Sequence, residues 1–287
     1  MASSVDDGFR TFLGRLVPTE AQRNAASSHR ETVESCIRAN FGLNRFFQTG
    51  SFNHGTAVRN YSDVDYFAYP GGQQPGSADT ALKNFRAALE KKFPRTEVAV
   101  RHPAVVVEFG TDGSETYEVV PAYHRRGTGE ERVYQIPGRT EGWIESAPGA
   151  HLSYVNGITN RLAKTKSLAR LLKAWKYFRN VPISSFYLEM RAAQHADGET
   201  SIIYSWDVLA VLEKLQSHAL ADMNDPKRLT GRFIACSTMA RRNDALSKLD
   251  TAVARAINAR QAESDGRIKD AFSSWDQLFG NNFPAYY

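Results

Sequence analysis

The sequence predicts an α+β fold: a strand-rich N-terminal lobe over residues 1–150, a helical lobe over 151–287, and a cleft between them. Three observations predict it. Short apolar runs punctuated by Gly, Pro and Asp cluster before residue 150. Apolar stripes of helical period dominate after it. The 287 residues are 42% hydrophobic, enough for a substantial core in one large domain or two packed lobes.

Residues 19–40 read as one amphipathic helix, with Thr19 placed to cap its start and Gly42 just past its end. NRFFQTGSF follows as a short aromatic strand running into a Gly-Ser turn, and YSDVDYFAYP as a second strand ended by Pro70. GGQQPGSAD is a loop. ADTALKNFRAALEKKF is a helix with Leu82, Phe85, Leu89 and Phe93 at helical spacing. TEVAVRH, AVVVEF and TYEVVPAY read as strands, the last two joined as a hairpin through Asp112-Gly113. The segment 123–150 reads as a connector. Beyond it, Leu168, Leu171, Leu172, Trp175 and Phe178 form one helical stripe, and Leu246, Leu249, Val253 and Ile257 another. The terminal NNFPAYY either docks on the helical lobe or serves as an attachment point for a regulatory partner.

Bulk properties narrow the function classes. No apolar run approaches the ~18–20 residues that span a bilayer, and the N-terminus shows no basic start followed by an apolar block. Cys36 and Cys236 are too few for a disulfide framework or a zinc site, so a reducing, cytoplasmic setting is expected. A net charge of +5 suits a polyanionic ligand such as a nucleotide, and weak nucleic-acid contact equally. No long Lys/Arg stripe with interleaved aromatics points to a nucleic-acid reader.

The chemistry centres on Gly50-Ser51 and on Asp63-Val64-Asp65 about a dozen residues later. Alternate residues of a strand share a face, so Asp63 and Asp65 are expected to point the same way. Two adjacent carboxylates repel unless a cation lies between them, and hard oxygen ligands suit Mg²⁺ or Mn²⁺. A glycine lets backbone approach phosphate closely, and the Ser51 hydroxyl with nearby N–H groups then binds phosphate oxygens. Glu118, on a neighbouring strand, supplies a third carboxylate; Glu108 in AVVVEF competes for that role. Each element has a bland alternative. A lone Asp-x-Asp is mostly solvated, and Glu118 alone reads as an exposed strand residue. Lys173 lies at the edge of its apolar stripe, where it reaches into a cleft or snorkels to water. Phe186 on its own reads as core. Arg59 suits phosphate steering, and His54 carries no assigned role.

In order, GSFNHGTAVRNYSDVDYF (50–67), EVVPAY (118–123), LARLLKAWKYFRNVPISSFYLE (168–189) and, more weakly, DPKRLTGR near Asp225 resemble the DNA polymerase β-type nucleotidyltransferases. More narrowly, they resemble the cGAS/DncV-like nucleotidyltransferases of bacteria. The resemblance spans nearly the whole chain. It implies a polymerase β-like catalytic lobe with a C-terminal helical lobe. The implied activity makes cyclic di- or trinucleotide second messengers from ribonucleoside triphosphates (ATP, GTP, UTP or CTP), which activate an effector in anti-phage defence. It implies Asp63, Asp65 and Glu118 as catalytic metal ligands. It implies Gly50, Ser51, Lys173, Ser185 and Phe186 as nucleotide- and phosphate-binding residues. Phe186 stands where many relatives carry a base-stacking tyrosine, and Glu118 where Asp is commoner. Rival readings are a nucleotidyltransferase acting on a small molecule, protein or RNA end, and a non-catalytic nucleotide-binding scaffold. An RNA-activated sensor resembling animal oligoadenylate synthases is a third, against which the absent basic stripe argues.

Overall fold

The computed structural model describes residues 3–109, 115–138 and 142–287. The Asp112-Gly113 turn expected above lies outside the described residues. The chain is α+β, with a mixed sheet and helices in its first part and helices in its last.

The central sheet has five strands in the order β1-β2-β5-β4-β3. These are β1 (Arg45–Gln48), β2 (Val64–Tyr69), β3 (Glu97–Arg101), β4 (Ala104–Phe109) and β5 (Glu115–Pro121). Only β2 and β5 run parallel; β1 with β2, β3 with β4 and β4 with β5 are antiparallel. Alternation along β2 sets the two faces. Val64, Tyr66 and Ala68, with Tyr117 and Val119 of β5, pack under helices α3 (Arg30–Phe41) and α5 (Ala78–Lys92). Phe67 and Val120, on the opposite face, pack against Tyr134 and Ile136. Asp65 and Glu118 occupy that second face, in register with each other.

The segment read as a connector is not one. It forms a three-stranded antiparallel sheet of β6 (Tyr123–Arg126), β7 (Val133–Pro137) and β8 (Trp143–Ser146), which covers the second face of the main sheet. β6, YHRR, is largely polar and β8, WIES, half polar, and the apolar β7, VYQIP, is short and set between Arg-, Gly- and Glu-rich stretches, so the three do not register together as a sheet in the sequence.

Residues 19–40 also differ from expectation. They form two helices, α2 (Glu20–Ser28) and α3, broken at His29. The Thr19 cap is present as a full capping box with Gln22, and Gly42 closes α3 with φ 62°.

A further helix, α1 (Val5–Leu16), precedes these, and it belongs to the helical core rather than to the sheet. Val5, Phe9, Phe12, Leu13 and Leu16 form its buried stripe. They pack among α6 (Pro148–Arg161), α7 (Thr165–Phe178), α8 (Ser185–Asp197), α9 (Tyr204–Ser217), α10 (Met239–Ser264) and α11 (Ile268–Leu278). The α7 stripe is as predicted from Leu168 to Trp175. The α10 stripe is shifted: Ala245, Leu249, Ala252, Val253 and Ala256 are buried, while Ile257 is exposed. Small alanines let α10 approach its neighbours closely, and an apolar count over large residues misses them. The tail docks: Phe283 is buried against Phe9, Phe12, Phe272 and Phe279, while Tyr287 stays exposed. No helix among the described residues is long and apolar enough to cross a membrane.

Candidate active site

Gly50 and Ser51 open a five-residue helix, α4 (Gly50–His54), between β1 and β2. Gly50 has φ 61°, a conformation that favours glycine. The position demands glycine for a second reason. A Cβ there would stand 1.8 Å from Asp65 Oδ2 and 2.4 Å from its Cγ. The Asp65 carboxyl therefore rests directly on the Gly50 backbone. The Thr49 N–H donates to the Asp65 carbonyl at 2.8 Å and fixes this approach.

Asp63 lies one residue before β2, so the predicted pair is one strand residue and one residue of the preceding loop. The three acids nevertheless form one electrostatic cluster. Asp65 is half-buried, and its carboxyl is pushed well above the usual range by desolvation, then by Glu118 and Asp63, with Lys173 opposing. Asp65 and Glu118 also share a side-chain hydrogen bond. Asp63 is pushed up to about 6, by the protein crowded around it and then by Glu118, with Arg101 and Lys176 opposing. Asp63 keeps contact with solvent, so the neighbouring negative charge is the cause that a cation relieves most directly. Of the two candidates for third acid, Glu118 is in register with Asp65, whereas Glu108 opposes Thr116 and is paired with Arg101.

Among the described residues, no three His, Cys, Asp or Glu side chains already stand in an ion-binding arrangement. The donor set is nonetheless that of a hard divalent ion: three neighbouring carboxylates, two of them raised by burial and by one another's charge, on a backbone cradle that a single Cβ would fill. The residues present fit Mg²⁺ or Mn²⁺.

The helical lobe faces this cluster with α7 and the start of α8. Lys176 donates to the Ser185 hydroxyl at 2.8 Å, and the Tyr177 hydroxyl lies 3.1 Å from the same oxygen. The Lys176 ammonium also sits 4.2 Å from the centroid of the Tyr177 ring. Both residues reach the acids electrostatically: Lys176 lowers Asp63, while Asp63 and Asp65 add to the burial that raises Tyr177. Tyr61 stacks on Tyr177, centroids 5.2 Å apart.

Lys173 lies deeper than the spacing of its helix suggests. It was expected at the triphosphate, but it is 1% exposed, and its ammonium is held by Glu189 and by the Thr56 hydroxyl, the latter at 2.7 Å. The lysine beside Ser185 is Lys176, one turn further along the same face. The helical spacing marked that face correctly, and depth within it was not legible. His54 is buried as well, paired with Glu189. Phe186 is partly buried, with its ring 4.8 Å from Phe233 and 5.4 Å from His151. His151 lies 3.2 Å from Asp225, which accepts hydrogen bonds from the backbone of Lys227, Leu229 and Thr230 and so shapes the loop after it. Arg59 is exposed, and its N–H donates to the Leu16 carbonyl at 2.7 Å.

Residues 3–158, just over half of the chain, match the model of the Second Messenger Oligonucleotide or Dinucleotide Synthetase (SMODS) domain. A curated relative, the cyclic AMP-AMP-AMP synthase of Escherichia coli strain MS 115-1, is 25% identical over 169 residues, 55% of this chain. The match spans about half, 51%, of that relative's length. Two solved structures share the fold across nearly the whole of both chains. The E. coli MS115-1 CdnC with ATP has a TM-score of 0.76 at 19% identity, covering 97% of this chain and 98% of that one. The CD-NTase CdnG of Bradyrhizobium diazoefficiens, in complex with GTP, has a TM-score of 0.77 at 13% identity, covering 98% and 96%.

Proposed function

Because the chain belongs to the SMODS family of cGAS/DncV-like nucleotidyltransferases, we propose that it synthesises a cyclic di- or trinucleotide from ribonucleoside triphosphates and releases pyrophosphate. One observation carries the reading. Asp65 and Glu118 are in register on neighbouring strands, with Asp63 beside them and Gly50 pressed against the Asp65 carboxyl.

In this mechanism Asp63, Asp65 and Glu118 would hold Mg²⁺ or Mn²⁺. Bound there, the ions would supply charge stabilisation at the phosphates and a lowered pKa at the attacking hydroxyl. The chain's own residues do the positioning. Ser51 and the backbone of α4 take phosphate oxygens beside Asp65. Lys176 and Ser185 take the outer phosphates, in place of the contact expected of Lys173. Their hydrogen bond in the free protein holds both side chains toward the acids. Phe186 offers a ring to one base, steadied from behind by Phe233 and His151. Glu118, with its carboxyl beside Asp65, is placed to accept the proton of the attacking ribose hydroxyl. The in-line geometry these contacts enforce supplies much of the rate, since phosphoryl transfer asks little covalent chemistry of the protein. A linear intermediate rebound at the same surface is closed by a second attack.

The name of the curated relative supports ATP among the substrates, as does the ATP bound to CdnC; the GTP bound to CdnG supports GTP. The product would act on a downstream effector in anti-phage defence, in the cytoplasm, under control of a regulatory protein.

Incubation of the protein with all four nucleoside triphosphates and Mg²⁺ or Mn²⁺, without any acceptor, tests the reading. A phosphatase-resistant product whose mass matches a cyclic oligonucleotide is expected. A protein that consumes triphosphate only when a small molecule, protein or RNA is added would be an acceptor-modifying transferase instead. Cyclic product from the Asp63→Asn/Asp65→Asn double variant would show that these acids do not carry the reaction.

A further inference from the structure

Beneath the site lies a cluster of buried polar groups that the proposed chemistry does not use. Glu189 of α8 is 2% exposed, Lys173 of α7 1%, His54 of α4 4% and Thr56, two residues on, 0%. Both carboxylate oxygens of Glu189 are engaged. One pairs with His54 Nδ1; the other accepts from the Thr56 hydroxyl at 2.5 Å and from Lys173. Lys173 in turn donates to Thr56 Oγ1 at 2.7 Å. Arg170, one turn earlier on α7, donates to the carbonyls of Ala57 at 2.9 Å and Gly55 at 2.5 Å.

The connectivity of this cluster is its main feature. His54, Gly55, Thr56 and Ala57 belong to the segment between two sheet strands, β1 and β2, yet the side chains that hold them in this cluster, Arg170, Lys173 and Glu189, are on α7 and α8. The same two helices present Lys176 and Ser185 to the acids. Lys173 and Lys176 are three residues apart on α7, and Ser185 and Glu189 four apart on α8, so α7 and α8 meet through two polar contacts one turn apart. The contact nearer the site joins α7 to α8 and, through Tyr177, reaches Tyr61 and Ser62 just ahead of β2. The deeper one also grips the end of α4, whose first residues are Gly50 and Ser51.

We propose that Glu189 is a positioning residue for the phosphate-binding turn: it fastens α4 to α7 and α8, so that Ser51 is held at a fixed place relative to Lys176 and Ser185. Gly50 is set from the sheet side by Asp65 and α4 from the helical side by Glu189. A buried ion pair contributes little net stability over an apolar replacement, because desolvation offsets most of the attraction. What such a pair supplies is a defined geometry, and here the geometry is that of the turn that meets phosphate. The inference rests on the function proposed above.

The test uses the full chain and the double variant Lys173→Met/Glu189→Gln, which removes both charges of the Lys173–Glu189 pair together. It also uses Thr56→Val, which removes the shared hydroxyl, and Thr56→Ser, which keeps it. Hydrogen exchange of the amides from 49 to 57 and steady-state kinetics with ATP, GTP, CTP and UTP are measured well below each variant's melting temperature. For the double variant and Thr56→Val, these amides are expected to exchange at least about tenfold faster, with the amides of α7 and α8 unchanged. kcat/KM should fall about tenfold or more in the same two variants, and Thr56→Ser should stay within about twofold of wild type. Wild-type exchange or wild-type kcat/KM in a folded double variant, or in Thr56→Val should the double variant not fold, overturns the proposal. A merely structural pair predicts that activity follows the folded fraction alone. If wild-type protein makes no product from any of the four triphosphates, the functional reading fails. The exchange of the 49–57 amides then decides by itself whether Glu189 holds α4.

Discussion

Two carboxylates on either side of α4 are driven in opposite directions by their surroundings. Asp65, on the sheet side, lies among acids, and its carboxyl is pushed well up by desolvation, Glu118 and Asp63. Glu189, on the helical side, is more deeply buried, and burial alone would raise it too. Lys173 and His54 reverse that and hold it below the usual carboxylate range. One acid has its cation built into the chain, and the other, in the function proposed above, would take one from solution. The difference shows how a fold separates anchoring from chemistry within a few residues. Charge that stays fixed is neutralised by side chains of the same chain, and around Asp65 negative charge is left in excess.

Single neutralisations test this contrast most strongly. Glu189→Gln leaves Lys173 buried without its counter-charge and should destabilise the fold by roughly 3–5 kcal/mol. Asp65→Asn removes a repulsion and should leave the metal-free melting temperature unchanged or higher. Equal losses of stability in the two variants, read by calorimetry without divalent ions, would erase the distinction. Next in size is Gly50→Ala. Its Cβ would meet the Asp65 carboxyl at 1.8 Å, so Asp65 or α4 must move. Turnover should fall roughly 10²-fold, the usual cost of ångström-scale misplacement, and normal turnover would mean that Asp65 need not rest on Gly50.

A smaller effect is expected where the two lysines of α7 diverge. Lys176→Met should raise the triphosphate KM by roughly tenfold, about the contribution of one hydrogen bond to a charged group, with little change in melting temperature. The same substitution at Lys173 should appear first as lost stability. Kinetics and thermal melts of both variants, side by side, decide whether the assignment is the right way round.

The smallest effect is in pH. Asp63 is raised from 3.8 to about 6, so the folded state binds its proton more tightly than the unfolded chain does. That contribution to stability is complete below about 4 and is lost as pH rises through about 6. Added Mn²⁺ should therefore raise the melting temperature more at pH 7.5 than at pH 5. An ion effect that is equal at both values, or larger at pH 5, would detach Asp63 from the ion site.

Short-range order made much of this legible. The Asp-Val-Asp spacing, the glycine before Ser51 and the acid ahead of VVPA lie within a few residues of the backbone features that orient them. So do the Thr19 cap and the α7 stripe. What escaped is set over long range. Glu189 and His54 are 135 positions apart, and no local pattern joins them. Lys173 and Lys176 share a face, so helical period cannot tell the buried lysine from the one that meets Ser185. Helix α1 was missed because Gly8 and Gly14 dilute its pattern with poor helix formers. Gly8 is there for tertiary reasons: a Cβ would come within 3.0 Å of the rings of Phe272 and Phe283.

That packing has a consequence for the order of assembly. Phe9 and Phe12 are synthesised more than 250 residues before rings they nest against, Trp275, Phe279 and Phe283. During translation the sheet, whose strands all lie before residue 147, has what it needs to fold early. The opening helix has no such option. Its burial is completed only when those rings arrive, so closing the helical core around α1 follows the sheet and spans a loop of more than 250 residues.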